Sequence, residues 1–204
     1  MLYGGSAFIT EAWRHQVGAI LMAWYPGMEG GAALAKVLFG DEVPGGRLPC
    51  SWPASPDHLP SFSRFARRVT YGPLHGYRMH EATGAEPAFA FGFGLGYSTV
   101  ERDPAELVDV TGDGRTATVS VALRNTGPHP AIEVVQAYVP EMLGTHRQPL
   151  RTLRGFSKVR LEPGGATSVR LEVPIQPGAT SVWVGTSSRP EDLTELAVDA
   201  ARPG

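Results

Sequence analysis

The chain has 204 residues, 42% of them hydrophobic and 19% charged, with a formal net charge of −2. That length holds one large or two small domains with a buried core, but a complete (β/α)8 barrel takes about 250 residues. The near-neutral balance gives no electrostatic case for nucleic acid or an anionic membrane, and no apolar run approaches the roughly 18 residues of a membrane span.

In chain order, Met1-Leu2-Tyr3-Gly4-Gly5 lacks the charged and apolar regions of a secretory signal. Residues 17–23 are almost wholly apolar, which predicts a strand buried on both faces of a parallel sheet. After the turn Tyr25-Pro26-Gly27, residues 29–39 carry Ala33, Leu34, Val37 and Leu38 at helical spacing. Gly40 suits the C′ stop, and Glu29 suits the positive end of the helix dipole. Strand, turn and helix together read as one unit of an α/β sheet. Residues 43–49 then turn into an extended segment. A parallel strand needs neighbours and covering helices, which about fifty residues cannot supply. The chain is therefore expected to begin inside a domain.

Residues 54–104 read as a connector rich in Pro, Ser, Gly and aromatics. From His58 to His80 there is no acidic residue, while Arg64, Arg67, Arg68 and Arg78 are present. Without a recognisable binding fold, this stretch reads as a solvated or interdomain clamp. Phe89, Phe91 and Phe93 alternate, which predicts one strand face packed between domains. Residues 105–204 read as all-β. Strands are predicted over 116–123, 132–139, 151–161, 167–173 and 180–186, divided by turn signals such as Asn125-Thr126-Gly127-Pro128 and Glu162-Pro163-Gly164-Gly165. That spacing suggests a β-sandwich.

These residues resemble family 3 glycoside hydrolases of the β-glucosidase-like kind. Ala23-Trp24-Tyr25-Pro26-Gly27-Met28-Glu29-Gly30-Gly31, Leu38-Phe39-Gly40-Asp41 and Pro44-Gly45-Gly46-Arg47-Leu48-Pro49 resemble the end of that family's α/β sandwich domain. Gly76-Tyr77-Arg78 and Phe91-Gly92-Phe93-Gly94-Leu95-Gly96-Tyr97-Ser98 resemble its linker. Asn125-Thr126-Gly127, the run from Glu133 to Val139 and Leu153-Arg154-Gly155-Phe156-Ser157-Lys158-Val159 resemble its fibronectin type III-like domain. The resemblance implies a mixed fold: an incomplete α/β sandwich segment over 1–53, a linker over 54–104, and an all-β immunoglobulin/fibronectin type III-like sandwich over 105–204. Phe93 departs from it, because the family usually has histidine there. The segment between Val173 and Gly178 is also shorter than usual.

The resemblance implies retaining hydrolysis of terminal β-linked sugars, with a nucleophilic aspartate on an N-terminal barrel and an acid/base residue upstream of the Trp-Tyr-Pro-Gly segment. Both positions precede the point matched by Met1, so no catalytic residue is assigned to this chain. Trp24 and Tyr25 offer ring faces for a sugar, or else interdomain packing. Glu29 stands where α/β folds bind ligands, or else simply caps its helix. Arg78 is expected to pair with a carboxylate on the barrel. Partners implied are a β-linked glucoside or oligosaccharide through the parent enzyme, and the barrel domain in trans if the enzyme is split. A second reading is a non-enzymatic carbohydrate- or protein-binding module.

Other motifs carry less. Gly92-Phe93-Gly94-Leu95-Gly96 lacks the spacing of a dinucleotide fingerprint, and Ser6 lacks the nucleophile-elbow pattern. His75 and His80 are spaced wrongly for a shared metal on one helix face. The single cysteine, Cys50, reads as a small apolar residue and excludes an internal disulfide. No metal or cofactor is indicated.

Overall fold

A computed structural model describes residues 1–63 and 65–198. Arg64 of the basic stretch and the end of the predicted sandwich, residues 199–204, lie outside the described residues. The fold is mostly β-sheet with few helices. Its helices are α1 (Gly30–Phe39) and α2 (Tyr77–Thr83). Its strands are β1 (Trp52–Pro53), β2 (Pro87–Phe89), β3 (Val100–Arg102), β4 (Glu106–Val110), β5 (Thr116–Asn125), β6 (Ala131–Glu141), β7 (Leu150–Leu161), β8 (Ala166–Pro174), β9 (Ser181–Gly185) and β10 (Leu193–Ala197).

Alternation in the sequence becomes two antiparallel sheets around one core. In the first, β5 pairs with β8 along one edge and with β3 and β4 along the other. The second runs β10-β9-β6-β7. Because side chains alternate across a strand, Ala117, Val119, Val121 and Leu123 of β5 turn inward with Val169, Leu171 and Val173 of β8. They meet Val135, Ala137 and Val139 of β6 and Val182 and Val184 of β9. Asn125 ends β5 fully buried. Its Nδ2 donates to the carbonyls of His129 and Leu161 at 2.7 and 3.1 Å, and its Oδ1 accepts from Ser98 and the Gly127 amide. The predicted turn is thus fixed by a side chain whose polar atoms are all paired.

Strand β6 departs from simple alternation and is buried on both faces from Val134 to Val139. Its inner residues join the core. Its outer residues Gln136 and Tyr138 lie beneath loop 91–94 and α2: a Cβ on Gly92 would sit 2.3 Å from Gln136 Nε2, and the Tyr77 ring lies 5.9 Å from Tyr138. The N-terminal half of the chain is therefore packed directly onto the sandwich.

Residues 17–23 do not form the doubly buried strand that their apolarity predicts. Val17 is 45% exposed, and the run makes only a parallel bridge from Met22 to Leu2. A strand gains its stability from ladders on its edges and cover on its faces. Here the described residues supply a ladder on one edge, over a few residues. The helix predicted over 29–39 does form, with Glu29 at the N-cap and Gly40 in the left-handed conformation at φ 87°. Within 54–104 the chain also builds α2 and the small β1–β2 ladder, where Trp52 pairs with Phe89. The three alternating phenylalanines do not share one face. Phe89 and Phe93 pack together at 5.5 Å, whereas Phe91 turns to Tyr77 at 4.9 Å, because the strand ends at Phe89 and the chain reverses at Gly92.

This contrast predicts uneven protection. Amides in residues 17–23 should exchange with solvent at least about a hundredfold faster than those of β5 and β6, because local opening scales with missing ladder bonds. Hydrogen exchange of the whole chain measures this directly, and equal protection in both regions would refute it.

Candidate functional site

The sequence-predicted residues Trp24, Tyr25 and Glu29 come together at one loop–helix junction. The Leu2 amide donates to the Leu21 carbonyl at 2.9 Å, and the Ala23 amide donates to the Leu2 carbonyl at 2.9 Å. The Gly4 amide reaches the Trp24 carbonyl at 3.3 Å. The two segments therefore run parallel and end side by side, as loops 4–6 and 24–27. Ligands of α/β folds bind at such carboxyl ends.

Local sequence sets the geometry of this junction. Trp24 has φ 50°, the one positive φ outside glycine among the described residues. A non-glycine residue there costs about 1–2 kcal/mol, and such strain clusters at functional sites. Gly27, at φ 72°, completes the turn. Gly30 opens α1 because a Cβ there would sit 2.6 Å from Pro26 Cβ. Tyr25 rests on bare backbone: a Cβ on Gly5 would meet its Oη at 2.8 Å and its Cε2 at 2.9 Å. Tyr25 is nonetheless 81% exposed, Trp24 is half-buried, and Glu29 is exposed and makes no capping bond with its side chain. The result is an open aromatic ledge beside a carboxylate. It offers a ring face for apolar C–H surface and a hydroxyl and carboxylate for hydroxyl groups.

Arg78 lies elsewhere, on α2, with its guanidinium 5.4 Å from the centroid of the Tyr77 ring. Its Nε is buried without a hydrogen-bond partner, and it has no ion pair among the described residues. Arg67 and Arg68 are exposed.

Sequence reasoning missed the contacts that fasten this half to the sandwich. Arg47 Nη2 donates to Glu133 Oε1 and to the Ile132 carbonyl, both at 2.9 Å, with the two charged side chains only 10% and 17% exposed. Arg151 Nε donates to Glu81 Oε1 at 2.7 Å, and the Arg151 amide donates to Glu81 Oε2 at 3.0 Å. The Leu153 amide donates to the Tyr77 hydroxyl at 3.1 Å. The Arg47 turn also sits against loop 91–94, where the Leu48 amide donates to the Phe93 carbonyl and the Gly92 amide to the Leu48 carbonyl. The Phe93 position thus acts through its backbone and through packing on Phe89.

Electrostatics at the remaining candidates point away from chemistry. Burial pushes the Cys50 thiol up, away from the reactive thiolate. The Arg14 guanidinium holds the Glu11 carboxyl below its usual range. Burial raises the Tyr138 phenol. Among the described residues no three His, Cys, Asp or Glu side chains gather as a metal site, and no helix is long and apolar enough to cross a membrane.

Residues 1–97 match the glycosyl hydrolase family 3 C-terminal domain, and residues 133–189 match a fibronectin type III-like domain. A probable beta-glucosidase H of Aspergillus fumigatus is 38% identical over 182 residues, covering 86% of this chain and 22% of its own length. A beta-glucosidase of Kluyveromyces marxianus is 40% identical over 170 residues, covering 80% of this chain and 20% of its own length. The crystal structure of the Kluyveromyces marxianus enzyme in complex with glucose superposes with a TM-score of 0.80 at 34% identity, over 97% of this chain and 26% of that one. Beta-glucosidase 3B from Thermotoga neapolitana, also in complex with glucose, gives 0.83 at 31% identity, over 97% of this chain and 30% of that one. The chain spans 22% of the length of the first of these relatives.

Proposed function

Because the chain belongs to glycoside hydrolase family 3, as its C-terminal part with the fibronectin type III-like domain, we propose that it is the structural portion of a β-glucosidase. The parent reaction is hydrolysis of a terminal β-linked glucoside. Retaining hydrolysis takes two carboxyl groups about 5–5.5 Å apart, one nucleophilic and one a proton donor. In this reading both lie in the portion of the relatives that the chain does not span. The chain supplies the end of an α/β sandwich over 1–53, a linker over 54–104, and an immunoglobulin/fibronectin type III-like sandwich from 105 onward. Trp24, Tyr25 and Glu29 form part of the wall of the sugar cleft, and Arg78 faces the barrel.

One observation carries this reading: a β-glucosidase relative aligns with 86% of the chain while the chain covers only 22% of that relative. The strained Trp24 and the exposed ring of Tyr25 support the cleft assignment, since a ring held open on a glycine floor has no core to fill.

A chimera tests both statements. This chain, fused in place of the corresponding portion of the Kluyveromyces marxianus beta-glucosidase, should preserve hydrolysis of an aryl β-glucoside. In that chimera Tyr25→Ala should raise KM about fivefold while kcat changes little, the loss of one stacking contact worth about 1 kcal/mol. A folded but inactive chimera would overturn the structural role. An unchanged KM would remove Tyr25 from the cleft.

A further inference from the structure

α2 holds a second titratable arrangement that the sugar cleft does not use. His80 is 8% exposed, and its Nδ1 lies 2.8 Å from the Ala85 carbonyl, so that nitrogen carries the proton and donates. The ring of His58 stands edge-on to it, with centroids 5.8 Å apart and planes at 87°. His58 Nδ1 is itself buried without a hydrogen-bond partner. His58 closes the short helical turn Pro56–His58, which Ser55 caps by accepting the Asp57 amide at 3.2 Å. The two imidazoles thus join that turn to α2.

The charges around the pair do not stabilise a proton there. On the turn, Asp57 is exposed and lies beside Ser55. On α2, Glu81 is committed to Arg151, and Arg78 lies over Tyr77. No carboxylate forms an ion pair with either imidazole among the described residues. A proton on His80 would be buried without a counter-charge, and protons on both rings would repel.

We propose that His58 and His80 form a proton-sensitive clasp, which holds the 55–58 turn on α2 when both rings are neutral and opens when they are protonated. Burial, with a smaller contribution from His58, lowers the His80 pKa, while its bond to the Ala85 carbonyl opposes that shift. The sign follows. A histidine lowered in the folded state binds fewer protons there than when exposed, so the closed form loses stability as pH falls below the ordinary histidine value of about 6.5. Because α2 also carries Tyr77 and Glu81, opening reaches the join to β7.

Titration of the imidazole resonances of the whole chain by NMR tests the clasp. His80 should titrate below the ordinary histidine value of about 6.5. Exchange of amides 79–83, corrected for intrinsic rates, should rise at least about tenfold from pH 7 to pH 5, while β5 and β6 amides hold steady. In His80→Phe, which keeps a ring in place without a proton site, that rise should vanish. Titration of His80 at or above about 6.5, or an equal rise in His80→Phe, would overturn the proposal. If His80→Phe fails to fold, the wild-type titration and exchange decide alone.

Discussion

Arg151→Ala should lower the chain's stability by about 2–3 kcal/mol, one of the largest single losses outside the sandwich core. The substitution removes a charge-assisted bond to Glu81 and leaves that carboxylate, 23% exposed, without its guanidinium. It also removes the guanidinium 5.2 Å from the Trp183 ring centroid. Breaking a buried pair by deleting one partner typically costs about 3–5 kcal/mol, and partial exposure reduces that figure here. Arg47→Ala should cost a similar amount, since Glu133 and the Ile132 carbonyl lose the same donor. Urea unfolding of each variant, read at the transition midpoint with the slope unchanged, gives the values. Losses below about 0.5 kcal/mol for both would mean that apolar packing, not these pairs, holds the two halves together.

The two anchors also explain what the sequence could and could not disclose. Strands β5 and β8 were legible because one face of each is buried, so their apolar residues recur with period two, whereas β6, buried on both faces over Val134 to Val139, was legible as an apolar run between turn signals. β4 escaped because a bulge between Leu107 and Asp109 breaks its alternation. α2 escaped because seven residues are too few for a helical period to stand out. The seam pairs were invisible for a different reason. Arg47 and Glu133 are 86 residues apart and Glu81 and Arg151 are 70, and a single charge carries no periodicity that names its partner. The Pro-Gly-Gly-Arg motif marked Arg47 as noteworthy but not what it touches.

The opposite error occurred at residues 17–23. Apolarity reports what a segment can bury, not whether cover is present, and here it is largely uncovered. The candidate cleft sits between these cases. Trp24, Tyr25 and Glu29 were singled out through their motif, and the structure places them in the loop and helix start that follow the parallel pair. What no sequence rule disclosed is the left-handed backbone at Trp24 and the glycine floor beneath Tyr25. The floor depends on the Leu2 and Met22 segments running side by side, a tertiary fact.

The purified chain should not hydrolyse an aryl β-glucoside above the uncatalysed rate, whereas family enzymes depend on a carboxyl pair for accelerations of about a millionfold or more. Two carboxyls in this half are held by arginines. Glu11 is bound to Arg14 at 2.7 Å, and Glu81 to Arg151. Glu29 is exposed at the start of α1, and its side chain makes no capping bond. Glu11 and Asp113 are held below the usual carboxylate range, by Arg14 and by Thr111, the reverse of what a proton donor needs. Release of p-nitrophenol from its β-glucoside, followed at chain concentrations high enough to detect trace activity, measures the outcome. Turnover that Glu29→Gln abolishes would overturn the structural reading and place a catalytic acid on this chain. Turnover that appears only when a separate catalytic portion is mixed in would instead show that this chain can assemble the enzyme from two pieces. In that case Arg151→Ala, by loosening α2, should reduce the assembled activity in step with its loss of stability.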